Sequence, residues 1–276
     1  MEYPKVLGPT IMTGTSEVDL GGSGVRLESP CNGTILAIKI EMARAGVATT
    51  KEADLVVVRL KSNTIPVVPY EALSQPINAG TGAEITPYKA DGKWYPVNAP
   101  VKIGEKLQIT GAEQQACTVH PYVAVTVLFA DYPATPQYHS VIGTLTAAGA
   151  AAQEYKMTTG IDIVGGKWIK AIYAALFTTT DASGAGCIYK YRISSNMFKN
   201  AAKAGMGDIE FAGTFIPGFL SAGTTADAIA DRLTAIEMYD KEGIPLGTPA
   251  HIDCYCNAAV AFTAAGYFQV QIVYTS

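Results

Sequence analysis

Charge is scarce in this chain. Of its 276 residues only 16% are Asp, Glu, Lys or Arg while 49% are hydrophobic, and soluble domains ordinarily carry about a quarter charged residues. So lightly charged a surface is expected to be covered over much of its extent. Basic residues form no run and the formal net charge is −4, which argues against a surface built to grip nucleic acid. The opening Met1-Glu-Tyr-Pro-Lys-Val6 lacks the apolar stretch of a signal peptide, so the chain is expected to stay in the cell that makes it. Cysteine is sparse and odd in number. Cys31, Cys117, Cys187, Cys254 and Cys256 are expected as free buried thiols rather than a disulfide framework. Histidine is scarcer still, and His120, His139 and His251 never fall at metal-ligand spacing. No P-loop or dinucleotide fingerprint occurs, so phosphate cradling has no support.

What the chain does have is a pattern that appears twice. Gly80-Thr81, Val101, Ile103, Gly104 and Ile109 return 143 residues later as Gly223-Thr224, Ile244, Leu246, Gly247 and Ile252. After each copy comes an alternating segment, Tyr122-Val-Ala-Val-Thr-Val-Leu-Phe129 and Tyr267-Phe-Gln-Val-Gln-Ile-Val-Tyr274. Val123, Val125, Val127 and Phe129 match Phe268, Val270, Ile272 and Tyr274, and a period of two puts each set on one face of a strand. Gly33 and Gly166, and Asn63 and Asn196, keep a slightly shorter spacing. The pattern predicts a tandem duplication, with a first domain over residues 1–133 and a second over 134–276, joined at the stiff run Asp131-Tyr-Pro-Ala-Thr-Pro-Gln137.

In chain order, Met1 to Gly8 reads as an extended arm between prolines. Strands are predicted at Thr10–Gly14, Val25–Glu28, Thr34–Met42, Leu55–Leu60, Tyr122–Phe129, Ser140–Thr144, Trp168–Phe177, Cys187–Ile193, Ile209–Phe215, Leu233–Tyr239, His251–Asn257 and Tyr267–Tyr274. Leu36, Ile38, Ile40 and Met42 are expected on one face, with Lys39 and Glu41 on the other. Helical turns are predicted at Pro69–Gln75, within Asn196–Lys203 and near Thr225–Asp231. The uncharged C-terminal stretch resembles a membrane span in composition, but Gln269 and Gln271 alternate with Val270 and Ile272. That is the period of a strand with one polar, outward face.

Several stretches approach the patterns of chemical sites. Gly21-Gly-Ser-Gly-Val25 approaches a nucleophile elbow, but its last position is Val25 and a glycine turn is the better reading. His251, Asp253 and Tyr255 share a strand face, with Ile252, Cys254 and Cys256 opposite, so a site using His251 with Asp253 is conceivable beside a plain reading of polar surface over buried thiols. Asp181, Asp208, Asp227 and Asp231 could approach a cation, yet they lack the spacing of a calcium loop. Asn32-Gly-Thr34 matches a glycosylation sequon by chance if the chain is never exported. Tyr70, Tyr88, Tyr95, Tyr122, Tyr132 and Tyr138 sit near strand ends, where they cap a core or serve an interface. No catalytic, cofactor-binding or metal-binding residue is assigned, no cofactor is expected, and the chain is expected not to be an enzyme.

Many short strands between Gly and Pro turns give an all-β chain of two tandem jelly-roll or β-sandwich domains related by internal duplication, with short helices in loops. In this the chain resembles the double jelly-roll major capsid proteins of icosahedral viruses, those of the corticovirus-like lineage being similar in size. The resemblance runs from Thr10 to Ser276 and rests on architecture, so it supplies no site residues. It implies a structural virion protein, synthesised and assembled in the host cytoplasm, whose homotrimers form pseudo-hexameric capsomers. The expected partners are further copies of itself, other virion proteins and an underlying viral membrane, with no direct nucleic-acid binding. Two rival readings are a carbohydrate- or receptor-binding sandwich of a fibre or tail, and a cupin-type enzyme. The first would need exposed Trp and Tyr clustered in loops at one end, whereas the only two tryptophans, Trp94 and Trp168, occupy non-equivalent places; the second lacks its histidines.

Overall fold

The computed structural model describes residues 1–44, 52–62, 69–79, 89–90, 92–115, 117–143, 147–148, 154–157, 159–178, 187–195, 208–215, 234–247, 249–258 and 266–276. The chain divides into two compact units, the first comprising Met1–Thr49 and Asp54–Ser140, the second Thr50–Ala53 and Val141–Ser276. Every regular element among the described residues is a strand, and the pairings are antiparallel. The short helices expected in loops do not appear there. Tyr70–Leu73 lies within a predicted helical turn but is a strand on Val56–Lys61, because Tyr70, Ala72 and Leu73 find buried places against that neighbour. The turns predicted in 196–203 and 225–231 lie outside the described residues.

In the first unit one sheet runs Glu2–Ile11, Pro121–Ala130, Gly33–Arg44, Trp94–Val101, and the other runs Val18–Asp19, Lys106–Glu113, Val56–Lys61, Tyr70–Leu73. The unit's last strand thus sits between its first strand and Gly33–Arg44, and the strand before it leads the second sheet's interior. Of the remaining large sheets, one runs Tyr138–Ile142, whose residues fall on both sides of the division at Ser140, then Gly266–Thr275, Trp168–Thr178 and Thr234–Glu237, and the other, in the second unit, runs Glu154–Lys156, Ala250–Ala258, Cys187–Ser194, Asp208–Phe215. Here too the last strand is placed between Tyr138–Ile142 and Trp168–Thr178, and Ala250–Ala258 takes the place that Lys106–Glu113 has above. The C-terminal stretch is a strand, and no described helix is long and apolar enough to cross a membrane.

Period-two alternation builds both cores. Val123, Val125, Val127 and Phe129 are all fully buried, and Phe268, Val270, Ile272 and Tyr274 join Ile172, Ala174, Ile193, Ile252 and Cys254 in the core of the second unit. Tyr191 and Phe268 stack there with ring centroids 5.2 Å apart. On Gly33–Arg44 the inward face is Ile38, Ile40 and Met42 as expected, but Leu36 is only half-buried and Ile35 takes its place. A register shift opposite Leu128 and Phe129 inserts the extra residue that exchanges the two faces. Gly33 sits at φ +157°, and a Cβ there would lie 2.0 Å from the Ala130 carbonyl oxygen, so the strands approach too closely for a side chain.

Two further expectations are corrected. The segment read as a free arm is part of a strand, since Glu2 to Leu7 pair residue by residue with Ala130 to Val125 and Leu7 is buried. Its alternation escaped notice because an edge strand buries few side chains, and its prolines are tolerated at an edge. Gln269 and Gln271 do not face water. They are 2% and 0% exposed, beside the equally buried Val273. Their register partners on the neighbouring strand, Ala175 and Tyr173, are buried as well, so both faces of this sheet are closed.

Candidate functional site

The same alternation that fills the first core also carries a charge into it. Ile38, Ile40, Met42 and Arg44 are spaced by two along one strand, so Arg44 points inward with the apolar three, and only 2% of it is exposed. At that end of the core it meets Asp54, which is 0% exposed, at 3.6 Å, and its Nη2 donates to Cys117 Sγ at 3.0 Å. Glu113, at the end of Lys106–Glu113, is buried nearby, and both of its carboxylate oxygens lie 3.0 Å from His120 Nδ1. With a carboxylate as acceptor, Nδ1–H is the donor, and the partly exposed His120 ring connects the cluster to solvent.

Asp54 is the unusual member. Its Oδ1 accepts from the Leu55 and Gln114 backbone N–H groups at 2.7 and 3.3 Å, tying the start of one strand to the end of another. Burial pushes its carboxyl up to about 8; Arg44 opposes the shift, the neighbouring Glu113 adds to it, and the two backbone hydrogen bonds oppose it. Removing an ionised carboxylate from water costs more than one guanidinium at this distance returns. Chemically, the group can hold a proton at neutral pH and release it in mild alkali. Sequence reasoning singled out none of Arg44, Asp54, Glu113 and His120 as a group, because they come from separate strands. The one visible signal was Arg44 continuing an apolar period.

The second cluster is the one anticipated around His251. Ile252 and Cys254 are buried in the core while His251 is exposed and Asp253 and Tyr255 are half-exposed, as the period requires. Burial pushes the Cys254 thiol up to about 12, with Asp253 adding to the shift. The strand Ile161–Ile163 pairs Asp162 with His251, bringing Oδ1 to 2.6 Å from Nδ1. Asp253 Oδ1 lies 3.4 Å from His251 Nε2 and 2.8 Å from Lys156 Nζ. The hydrogen bond to Asp162 raises the His251 pKa above its ordinary value; burial opposes it, and the charges of both carboxylates add to the rise. Arg192 stacks on the Tyr255 ring at 3.8 Å. The result is an exposed, largely self-neutralised ion-pair patch.

Other candidates separate. Gly21 to Gly24 form turns, with Gly22 N–H on Asp19 O at 3.2 Å and Val25 N–H on Gly22 O at 3.1 Å. Cys31, Cys117 and Cys254 are buried thiols that form no disulfide. Tyr70 and Tyr95 are core residues whose hydroxyls donate to the Pro96 and Leu73 carbonyls at 2.8 and 2.5 Å, whereas Tyr122 and Tyr132 are exposed. Asp208 begins a strand; Asp181, Asp227, Asp231 and Tyr88 lie outside the described residues. Among the described residues no group of three or more His, Cys, Asp or Glu is arranged to hold a metal ion.

No protein-family model matches the sequence, and no curated protein matches it. Among solved structures, N-glycanase F (PNGase F) is similar at a TM-score of 0.48 and 10% identity, over 100% of this chain and 96% of that one. A structure described as PNGase F, a glycosylasparaginase from Flavobacterium meningosepticum, gives 0.47 at 10% identity over the same 100% and 96%. An infectious bursal disease virus particle gives 0.27 at 10% identity, over 99% of this chain and 67% of that one. These likenesses concern a β fold and assign no residue here. The expectation that the chain is not an enzyme is corrected: a structure matched over its whole length is described as a glycosylasparaginase, and a fold by itself does not exclude catalysis.

Proposed function

We propose that this chain is a structural shell protein of a virion, with two jelly rolls related by duplication, assembling as homotrimers of pseudo-hexameric outline. The observation that supports the reading is the placement of strands in the four main sheets. In each unit the last strand is threaded between the first and a central strand, and the strand before it is threaded through the opposite sheet. A jelly-roll wrap would produce such a crossing, and its recurrence in both units supports duplication of one unit. Scarce charge supports the same reading, because a shell protein buries much of its surface against its neighbours.

The test is assembly. The purified chain is expected to sediment as trimers and, as concentration rises, to form closed particles of uniform diameter under the electron microscope. A monomer at every concentration, with no particles, would sink the proposal.

A further inference from the structure

The two units differ in how their first-strand sheets treat the face turned away from the core. In the second unit that face is closed over Tyr173, Gln269 and Gln271. In the first it is open. Register places Val6, Thr126, Lys39 and Trp94 in one row across the sheet, with Val6 61% and Trp94 43% exposed. Towards the other end, Ile11 and Tyr122 pair and are exposed too. Among the described residues the charged side chains on this face are Glu2, at the end of the edge strand, and Lys39 and Glu41, two residues apart on one central strand and joined at 2.9 Å.

We propose that this face is where a second copy of the chain docks, about a two-fold axis lying in the interface at the level of Ile40. Such an axis, running across the strands, turns Lys39 of one copy onto Glu41 of the other and Glu41 onto Lys39, so the charge pattern complements itself. It also sets the row of Val6, Thr126 and Trp94 against the row of Ala124 and Glu41, where Ala124 leaves room. The four strands on this path, about 4.8 Å apart and each showing about eight residues at about 3.3 Å, make a face of roughly 500 Å². Two copies bury about 1,000 Å² in total, the threshold for specific association. A membrane or nucleic acid would meet a face of mixed sign with no basic excess, which favours neither. The inference uses the first unit alone and does not depend on the chain building a shell.

The experiment is sedimentation analysis of the full chain with single and double charge reversals. Lys39→Glu and Glu41→Lys are each expected to weaken two-fold association by about tenfold or more, since like charges then face each other. The double reversal Lys39→Glu/Glu41→Lys is expected to restore it. Restoration identifies the partner surface as the same surface on another copy. Loss in the single variants without rescue in the double, or association untouched by either single reversal, overturns the proposal. Trimers or particles that persist unchanged in all variants would leave the shell reading standing while this interface falls.

Discussion

The Arg44 guanidinium stands 3.6 Å from the Asp54 carboxylate with neither residue more than 2% exposed. Such a pair contributes little net stability, because two lost hydration shells offset the attraction. Its consequence is a dependence on pH. The Asp54 carboxyl holds its proton to about 8 in the folded chain and loses it near 4 when unfolded. The folded state therefore binds more protons across that window, and stability falls as pH rises from about 4 to about 8, by on the order of a few kcal/mol. Asp54→Asn is expected to flatten this slope and to raise the urea midpoint at pH 8. An unchanged slope in the variant would show that Asp54 is ionised in the fold.

His251 answers to pH with the opposite charge type. Its raised pKa means that the protonated ring is favoured by folding; that contribution is present below about 6.5 and is lost as pH rises through the higher folded value. Asp162→Asn removes the first cause, so the His251 ring signals in an NMR titration are expected to move their midpoint down. A midpoint that stays put would place the hydrogen bond outside the solution structure.

Burial of Gln271 reverses what its sequence pattern suggests. A Glu at an outward strand position would be mild, but at a site 0% exposed burying a carboxylate in place of the neutral amide costs about 3 kcal/mol or more. Gln271→Glu is accordingly expected to approach Val270→Asp in damage, read from thermal unfolding. A melting temperature within a degree or two of the parent would show that this face opens in solution.

Deleting residues 1–8 tests the edge strand. The deletion strips the ladder from Pro121–Ala130 and removes buried Leu7, for which truncation to Ala alone costs about 2–3 kcal/mol. A marked fall in melting temperature is expected, with aggregation through the newly exposed edge. Unchanged melting would make the segment a tail.

What the sequence by itself determined is local. A period of two needs only neighbours along the chain, so the strands Gly33–Arg44, Pro121–Ala130, Trp168–Thr178 and Gly266–Thr275 could be read directly, to within a residue or two at the ends, as could the inward sets of Pro121–Ala130 and Gly266–Thr275, whereas the bulge at Leu36 put Ile35 inside on Gly33–Arg44. Tertiary structure decided the rest, because burial of an outer face depends on segments far away in the chain. Gln269 and Gln271 alternate like surface residues and are enclosed; Lys39 and Glu41 alternate in the same way and stay open. The Arg44, Asp54, Glu113 and His120 cluster belongs to the same class. Each residue is unremarked in its own segment, and only the closing of the sheets over one end of the core takes Asp54 out of water and sets its proton affinity.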